Sequence, residues 1–67
     1  MMQVIVNGDP LALPAGSTVT ALIEHLGLAG RRVAVEVNED IVPRSRHDEV
    51  TLQAGDRIEV VHAIGGG

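Results

Sequence analysis

The 67-residue sequence contains no cysteine, no lysine and no Phe, Trp or Tyr, and it carries a formal net charge of −4. Disulfides, zinc–thiolate sites and cysteine catalysis are therefore excluded, and an acidic chain without these rings lacks the phosphate-neutralising charge and stacking surfaces of a nucleic-acid binder. No apolar run approaches the roughly 20 residues of a membrane-spanning helix and the N-terminus lacks a secretory signal, so we expect a single cytoplasmic domain that is a monomer on its own.

The start of the chain has the pattern of a β-hairpin. Residues 2–7 are rich in β-branched side chains, which favours a strand. Asn7-Gly8-Asp9 is a tight-turn signal because Asn and Gly tolerate positive φ. Residues 11–13 are predicted to return antiparallel as a short edge strand, since Pro10 and Pro14 on either side lack the N–H that an inner strand needs.

One amphipathic helix follows the hairpin. Its apolar side chains recur at the spacing i, i+3, i+4 and i+7, at Val19, Leu22, Ile23 and Leu26. Ser17 or Thr18 is placed to cap its N-terminus, and Gly27 is placed to end it in a left-handed conformation. A helix of about two and a half turns is unstable alone, so the apolar stripe must pack on a sheet.

The second half of the chain alternates between extended segments and turns. The predicted order is a third strand at residues 33–38, a turn at 38–40, a short edge segment at 41–44, a charged connection at 45–49, a segment that packs back at 50–52, a turn at 53–56 and a last strand at 57–63. In the last strand Ile58 and Val60 share one face, and Glu59 and Val61 share the other. One sheet with one helix across it is a two-layer α+β domain, predicted over residues 1–63.

Residues 64–67, Ile-Gly-Gly-Gly, form a separate segment after that strand. Glycine has no Cβ, so this tail is predicted to be thin and flexible. A flexible end with a free carboxylate suits insertion into a narrow channel of another protein. A frayed end or a linker remnant has the same composition, so the tail residues alone leave both interpretations open.

The segment His47-Asp48-Glu49 has the composition of a metal site but not its spacing. Alternate residues of an extended chain share a face, so only His47 and Glu49 would converge. Two ligands do not make a closed site. We therefore expect a solvated loop at this position and no metal ion.

Several segments carry a resemblance to a known family. They are Gly16-Ser17-Thr18-Val19 with Leu22, Val35-Glu36-Val37-Asn38, Ile41-Val42-Pro43-Arg44, the stretch from Gly55 to Val61, and the terminal Gly65-Gly66-Gly67. In this order they resemble the ubiquitin-like β-grasp proteins, and over the whole chain they are similar to the sulfur carriers of thiamine (thiazole) biosynthesis, the ThiS type. The resemblance implies a mixed sheet of four to five strands with one α-helix packed across one face.

The resemblance also implies a chemistry for the tail. The Gly67 carboxylate would be adenylated by an E1-like enzyme of the ThiF type using ATP, and sulfur from a cysteine desulfurase or rhodanese-type donor would convert it to a thiocarboxylate for a thiazole synthase of the ThiG type. Gly65, Gly66 and Ile64 would be recognised in the partner's channel, where a side chain at position 66 or 67 would clash. The carrier itself would be no enzyme and would hold no cofactor.

A docking surface is predicted beside the tail. Ile5 and Val61 lie on the sheet face opposite the helix and would be left facing solvent, which commonly marks a partner site. His62 is a further candidate contact because it lies near the tail, and an ordinary strand residue is the alternative interpretation. Scattered exposed aliphatic residues are also normal on any protein surface.

Two other functions remain open at this stage. One is a carrier for another sulfur pathway, such as molybdopterin synthesis. The other is a non-covalent β-grasp binding module with an incidental glycine end. A free-standing enzyme is disfavoured, because the chain has no convincing catalytic constellation and is too small to enclose a pocket.

Overall fold

The computed structural model describes residues 1–62, which form one mixed sheet with a helix across one face. The elements are β1 (Met2–Val6), β2 (Asp9–Leu13), α1 (Val19–His25), β3 (Val33–Val37), β4 (Asp40–Val42), a 3₁₀ turn (Arg44–Arg46) and β5 (Arg57–His62). The five strands are ordered β2-β1-β5-β3-β4. The neighbours β1 and β5 are parallel, and all other neighbouring pairs are antiparallel. The predicted α+β class, strand number and helix are confirmed.

Two-residue turns close both hairpins of the sheet. Asn7-Gly8 connects β1 to β2, where Val6 pairs with Asp9, and the φ angles of the two turn residues are 50° and 89°. Asn38-Glu39 connects β3 to β4 in the same way, with φ of 52° and 72°. Two consecutive residues at positive φ match the twist of a β-hairpin, and Asn is among the residues that accept this conformation. Both turns were predicted from the sequence.

Local signals set the bounds of α1. The Thr18 hydroxyl accepts a hydrogen bond from the Ala21 N–H at 3.1 Å, which makes Thr18 the N-cap. Ser17 has a different role, because its hydroxyl donates to the Pro14 carbonyl at 2.7 Å. Gly27 follows the C-cap residue Leu26 with φ of 73°, the left-handed conformation expected after a helix.

The core lies between α1 and the inner face of the sheet and is entirely aliphatic. The buried sheet residues are Val4, Val6, Leu13, Val35, Val42, Ile58 and Val60, and those of the helix are Val19, Leu22 and Ile23. Leu52 completes the core from the segment before β5, which Thr51 joins to Thr18 through an isolated bridge. Ile58 and Val60, predicted to share one face of the last strand, are both buried in this core.

The expectation of a solvated loop at His47-Asp48-Glu49 is wrong for His47. This side chain is 8% exposed, and its Nε2 lies 3.1 Å from the Val42 carbonyl oxygen. The 3₁₀ turn at Arg44–Arg46 is the reason, because it redirects the chain so that His47 points inward while Asp48 and Glu49 stay exposed. The alternation of an extended chain therefore does not apply to this segment.

Candidate functional site

The reactive group predicted from the sequence lies beyond the part of the chain that the structure describes. Gly67, and the proposed recognition residues Ile64, Gly65 and Gly66, all fall outside residues 1–62. The candidate site is therefore built from the strand that leads to them. That strand is β5, which ends at His62.

β5 occupies the centre of the sheet but is held unequally on its two sides. Along β3 it forms five residue pairs, from Val37 with Ile58 to Val33 with His62. Along β1 it forms only two, Ile5 with Arg57 and Val6 with Ile58. The C-terminal part of β5, from which the tail continues, thus has a strand partner on one side only.

The outer face of the sheet, opposite α1, carries a mixed apolar and acidic surface beside the end of β5. Directly paired residues share a face of the sheet, and here Val61 pairs with Ala34, Glu59 with Glu36, and Glu36 with Ile41. Val61 is 57% exposed and Ile41 is 72% exposed. We call these five residues, Ala34, Glu36, Ile41, Glu59 and Val61, the outer-face patch.

Ile5 is separated from this patch by the register of the parallel strands. It pairs with Arg57 on β5 and with Pro10 on β2, and these neighbours leave it half-buried. Arg57 precedes Val61 by four residues, which is about 13 Å along a strand. The structure therefore does not bring the predicted pair Ile5 and Val61 together.

His62 lies on the other face of the sheet from Val61. The His62 side chain lines a cleft of ≈ 440 Å³ on the helix side of the sheet, and Val60, Leu26 and Leu28 line the same cleft. His62 and Val61 cannot contact the same flat partner surface from one side of the sheet, because successive side chains of a strand point to opposite faces. Of the three predicted interface residues, Val61 alone belongs to the outer-face patch.

Glu36 and Ile41 were missed in the sequence as surface candidates. The signal that identifies them is the two-residue turn at Asn38-Glu39, because it fixes the register that pairs Ile41 with Glu36. Neither residue has an unusual local pattern of its own.

Other kinds of site were sought in the same residues. Within residues 1–62, no three His, Asp or Glu side chains are grouped closely enough to hold a metal ion. No helix in this described range has the length and apolar character needed to cross a bilayer.

The architecture defines a class of protein. A mixed five-stranded sheet with a β-hairpin, a single crossing helix, a second hairpin and a central last strand is the ubiquitin-like β-grasp fold. A crystal structure of the thiamine biosynthesis protein ThiS from Geobacter metallireducens superimposes with a TM-score of 0.84 at 33% sequence identity, covering 98% of this chain and 100% of that one.

Sequence comparison identifies the family within that class. The model of the ThiS family matches residues 4–67. The sulfur carrier protein ThiS of Escherichia coli is 35% identical over 66 residues, which cover 98% of this chain and 100% of that protein. The chain belongs to the ThiS family, and the resemblance to the ThiS-type sulfur carriers is confirmed.

Other relatives are much longer than this chain. A thiazole synthase of Paramagnetospirillum magneticum is 44% identical and one of Magnetococcus marinus is 47% identical, each over 66 residues. The chain spans about a fifth of the length of these two proteins, 20% in each case. A region similar to this chain thus occurs inside proteins named thiazole synthase.

Proposed function

We propose that this chain is a sulfur carrier for thiazole formation in thiamine biosynthesis, with the Gly67 carboxylate as the group that reacts. The observation that carries the proposal is the match to the family over residues 4–67, which includes the terminal glycines as well as the folded domain. The end-to-end similarity to the Escherichia coli sulfur carrier supports it. We therefore propose that the glycine tail carries the group that reacts.

The chemistry requires activation of the carboxylate, because oxide is a poor leaving group. A Gly67 oxygen attacks the α-phosphate of ATP, pyrophosphate leaves, and an acyl-adenylate is formed. A persulfide sulfur of the donor protein then displaces AMP, and a second thiol cleaves the resulting S–S bond. The products are the Gly67 thiocarboxylate and a disulfide on the donor.

The chain supplies a reacting group and a recognition surface in this scheme, and the partner enzymes supply the catalysis. An E1-like adenylating enzyme consumes the ATP, a cysteine desulfurase or rhodanese-type protein delivers the sulfur, and thiazole synthase accepts it. The ThiS-like regions inside two thiazole synthases support the last of these partners. Glycine is favoured in the tail because it has no side chain and few backbone restrictions, and the terminal carbonyl must reach a near-attack position beside ATP.

The outer-face patch is the surface that we assign to docking of the adenylating enzyme. Val61 is exposed, apolar and directly before His62, the last described residue. A partner bound there has the tail within reach of its active site. The patch replaces the Ile5–Val61 surface as the proposed interface, since the strand register separates those two residues.

The decisive measurement is the intact mass of the chain after incubation with the adenylating enzyme, ATP and a persulfide donor. We expect a gain equal to the replacement of one oxygen by sulfur, and no gain in a chain that lacks Gly67. The Gly66→Ala variant should lose nearly all adenylation because its methyl group obstructs the channel. Its unfolding midpoint should not change, since the buried core lies between Val4 and Val60.

An unchanged mass would contradict the proposal if the same enzymes modify another carrier under the same conditions. Normal adenylation of Gly66→Ala would contradict the account of the glycine tail while leaving the carrier role intact.

A further inference from the structure

The ladder between β1 and β5 continues by one step after β1 has ended. The Ile5 N–H donates to the Asp56 carbonyl and the Asn7 N–H donates to the Ile58 carbonyl, both at 2.9 Å. The next step would need the carbonyl of residue 7 and the N–H of residue 9. The chain turns away at Asn7-Gly8, so these backbone groups do not follow β5.

The Asn7 side chain supplies the missing step. Its Oδ1 accepts a hydrogen bond from the Val60 N–H at 2.9 Å, and its Nδ2 donates to the Val60 carbonyl at 3.1 Å. The carboxamide thus stands in for one peptide group of β1. Among the usual first residues of such a turn, Asn, Asp and Gly, only Asn carries both a C=O acceptor and an N–H donor.

The second hairpin has an equivalent asparagine at the opposite end of β5. The Asn38 Oδ1 accepts from the Arg57 N–H at 2.9 Å, and its Nδ2 donates to the Asp56 carboxylate at 3.0 Å. Asn38 therefore holds the first residue of β5, whereas Asn7 holds Val60, two residues before the strand ends at His62. The two asparagines share a positive backbone φ, 50° and 52°, and an amide side chain, and they differ in the position along β5 that each one holds.

We propose that Asn7 is a positioning residue for the reaction of Gly67, an inference that rests on the proposed carrier function. By fixing Val60 on the side where β5 has no strand neighbour, Asn7 holds the end of β5 on that side, while β3 holds it on the other side as far as His62. Gly67 lies seven residues beyond Val60, a reach of about 24 Å when extended.

Loss of this contact leaves the end of β5 held by β3 alone, so residues 60–62 separate from the sheet more readily. A longer and looser connection lowers the effective concentration of the carboxylate at the adenylating site, and more backbone must be ordered before the carbonyl reaches its attack position. The docking patch on the outer face is not altered by this change. Asn7 thus acts on the tail through Val60 and does not touch the reacting atoms.

The test compares Asn7→Gly with Asn38→Gly. Glycine accepts the positive φ of both positions, so each variant loses only its two side-chain hydrogen bonds. We expect Asn7→Gly to lower kcat/KM for adenylation, measured by pyrophosphate release, about tenfold (about 1.4 kcal/mol), chiefly through kcat. The kcat/KM of Asn38→Gly should stay within about twofold of that of the unaltered chain (about 0.4 kcal/mol). The thermal unfolding midpoints of the two variants should nevertheless fall by similar amounts.

Amide hydrogen exchange of the free proteins provides a second readout. Asn7→Gly should accelerate exchange at Val60 and leave Arg57 protected, and Asn38→Gly should do the reverse. Equal losses of adenylation in the two variants, or none in Asn7→Gly, would overturn the inference while the carrier function stands. Absence of adenylation in the unaltered chain, with an enzyme that is active on another carrier, would instead remove the proposed function.

Discussion

His47 joins the connection after β4 to the core, and the stability of the domain should depend on it. Replacement by alanine removes the partner of the Val42 carbonyl and leaves a cavity below the start of α1. We expect His47→Ala to lower the free energy of unfolding by about 2 kcal/mol, measured by urea denaturation.

His25 provides the matched control for this measurement. It is an exposed histidine at the end of α1, so His25→Ala should change the free energy of unfolding by no more than about 0.5 kcal/mol. Equal effects of the two alanine substitutions would mean that the buried contact of His47 contributes nothing to stability.

Single residues were predictable where their role depends on near neighbours in the sequence. A helix cap at Ser17 or Thr18 and a turn at Asn7 follow from local chemistry; the structure confirms the turn and shows that Thr18 is the cap. The burial of His47 depends on Val42 and on the backbone of Thr20, which donates to the His47 carbonyl at 3.2 Å. No local pattern in the polar stretch around His47 contains that information.

The pairing of β3 with β5 places two negative charges opposite each other. Glu36 and Glu59 are directly opposite each other on the outer face, and like charges in that position are destabilising. We expect Glu59→Lys to raise the free energy of unfolding by roughly 0.5 kcal/mol, because it places a cation opposite Glu36. Urea denaturation at low ionic strength measures the difference.

A Glu36→Gln background isolates the cause of this gain. In that background Glu59→Lys should raise the free energy of unfolding only slightly. With Glu36 present, about 1 M salt should remove most of the increase, because the screening length is then about 3 Å. An equal gain with and without Glu36 would assign the effect to lysine itself and refute the repulsion between the two glutamates.

At the level of elements, the hairpins could be predicted and the relation between them could not. Pro10 marks an edge strand, and the asparagine turns fix the register within each hairpin. The pairing of β1 with β5 joins residues 52 positions apart, Ile5 with Arg57, and no turn connects them. The period of two assigns Ile5 and Val61 to one face correctly, but it contains no information on the distance between them.

In the whole molecule, α1 covers one face of the sheet and leaves the outer face open. We expect the open outer face to determine how tightly the adenylating enzyme binds. We expect Val61→Asp to weaken binding of the adenylating enzyme about tenfold, roughly 1.4 kcal/mol, because it places a charge in the apolar part of the outer-face patch. Its free energy of unfolding should change by no more than about 0.5 kcal/mol, since Val61 is exposed. Titration calorimetry measures the affinity.

Ala12 offers a matched position outside the patch. It is exposed on the same face, on the edge strand β2, where it pairs with Gln3. Ala12→Asp should leave the affinity unchanged. Equal weakening by both substitutions would indicate a general effect of negative charge, and no weakening by Val61→Asp would exclude the outer-face patch as the docking surface.

The central place of β5 also determines the order in which the chain acquires structure. Synthesis proceeds from the N-terminus, so the strand that joins the hairpin β1–β2 to the hairpin β3–β4 is made after both. Until β5 is present, the two hairpins share no hydrogen-bonded ladder. Contacts across about 50 residues, such as Asn7 with Val60 at a separation of 53, are slow to form. Folding should therefore wait until β5, the last strand in the described part of the chain, has been made.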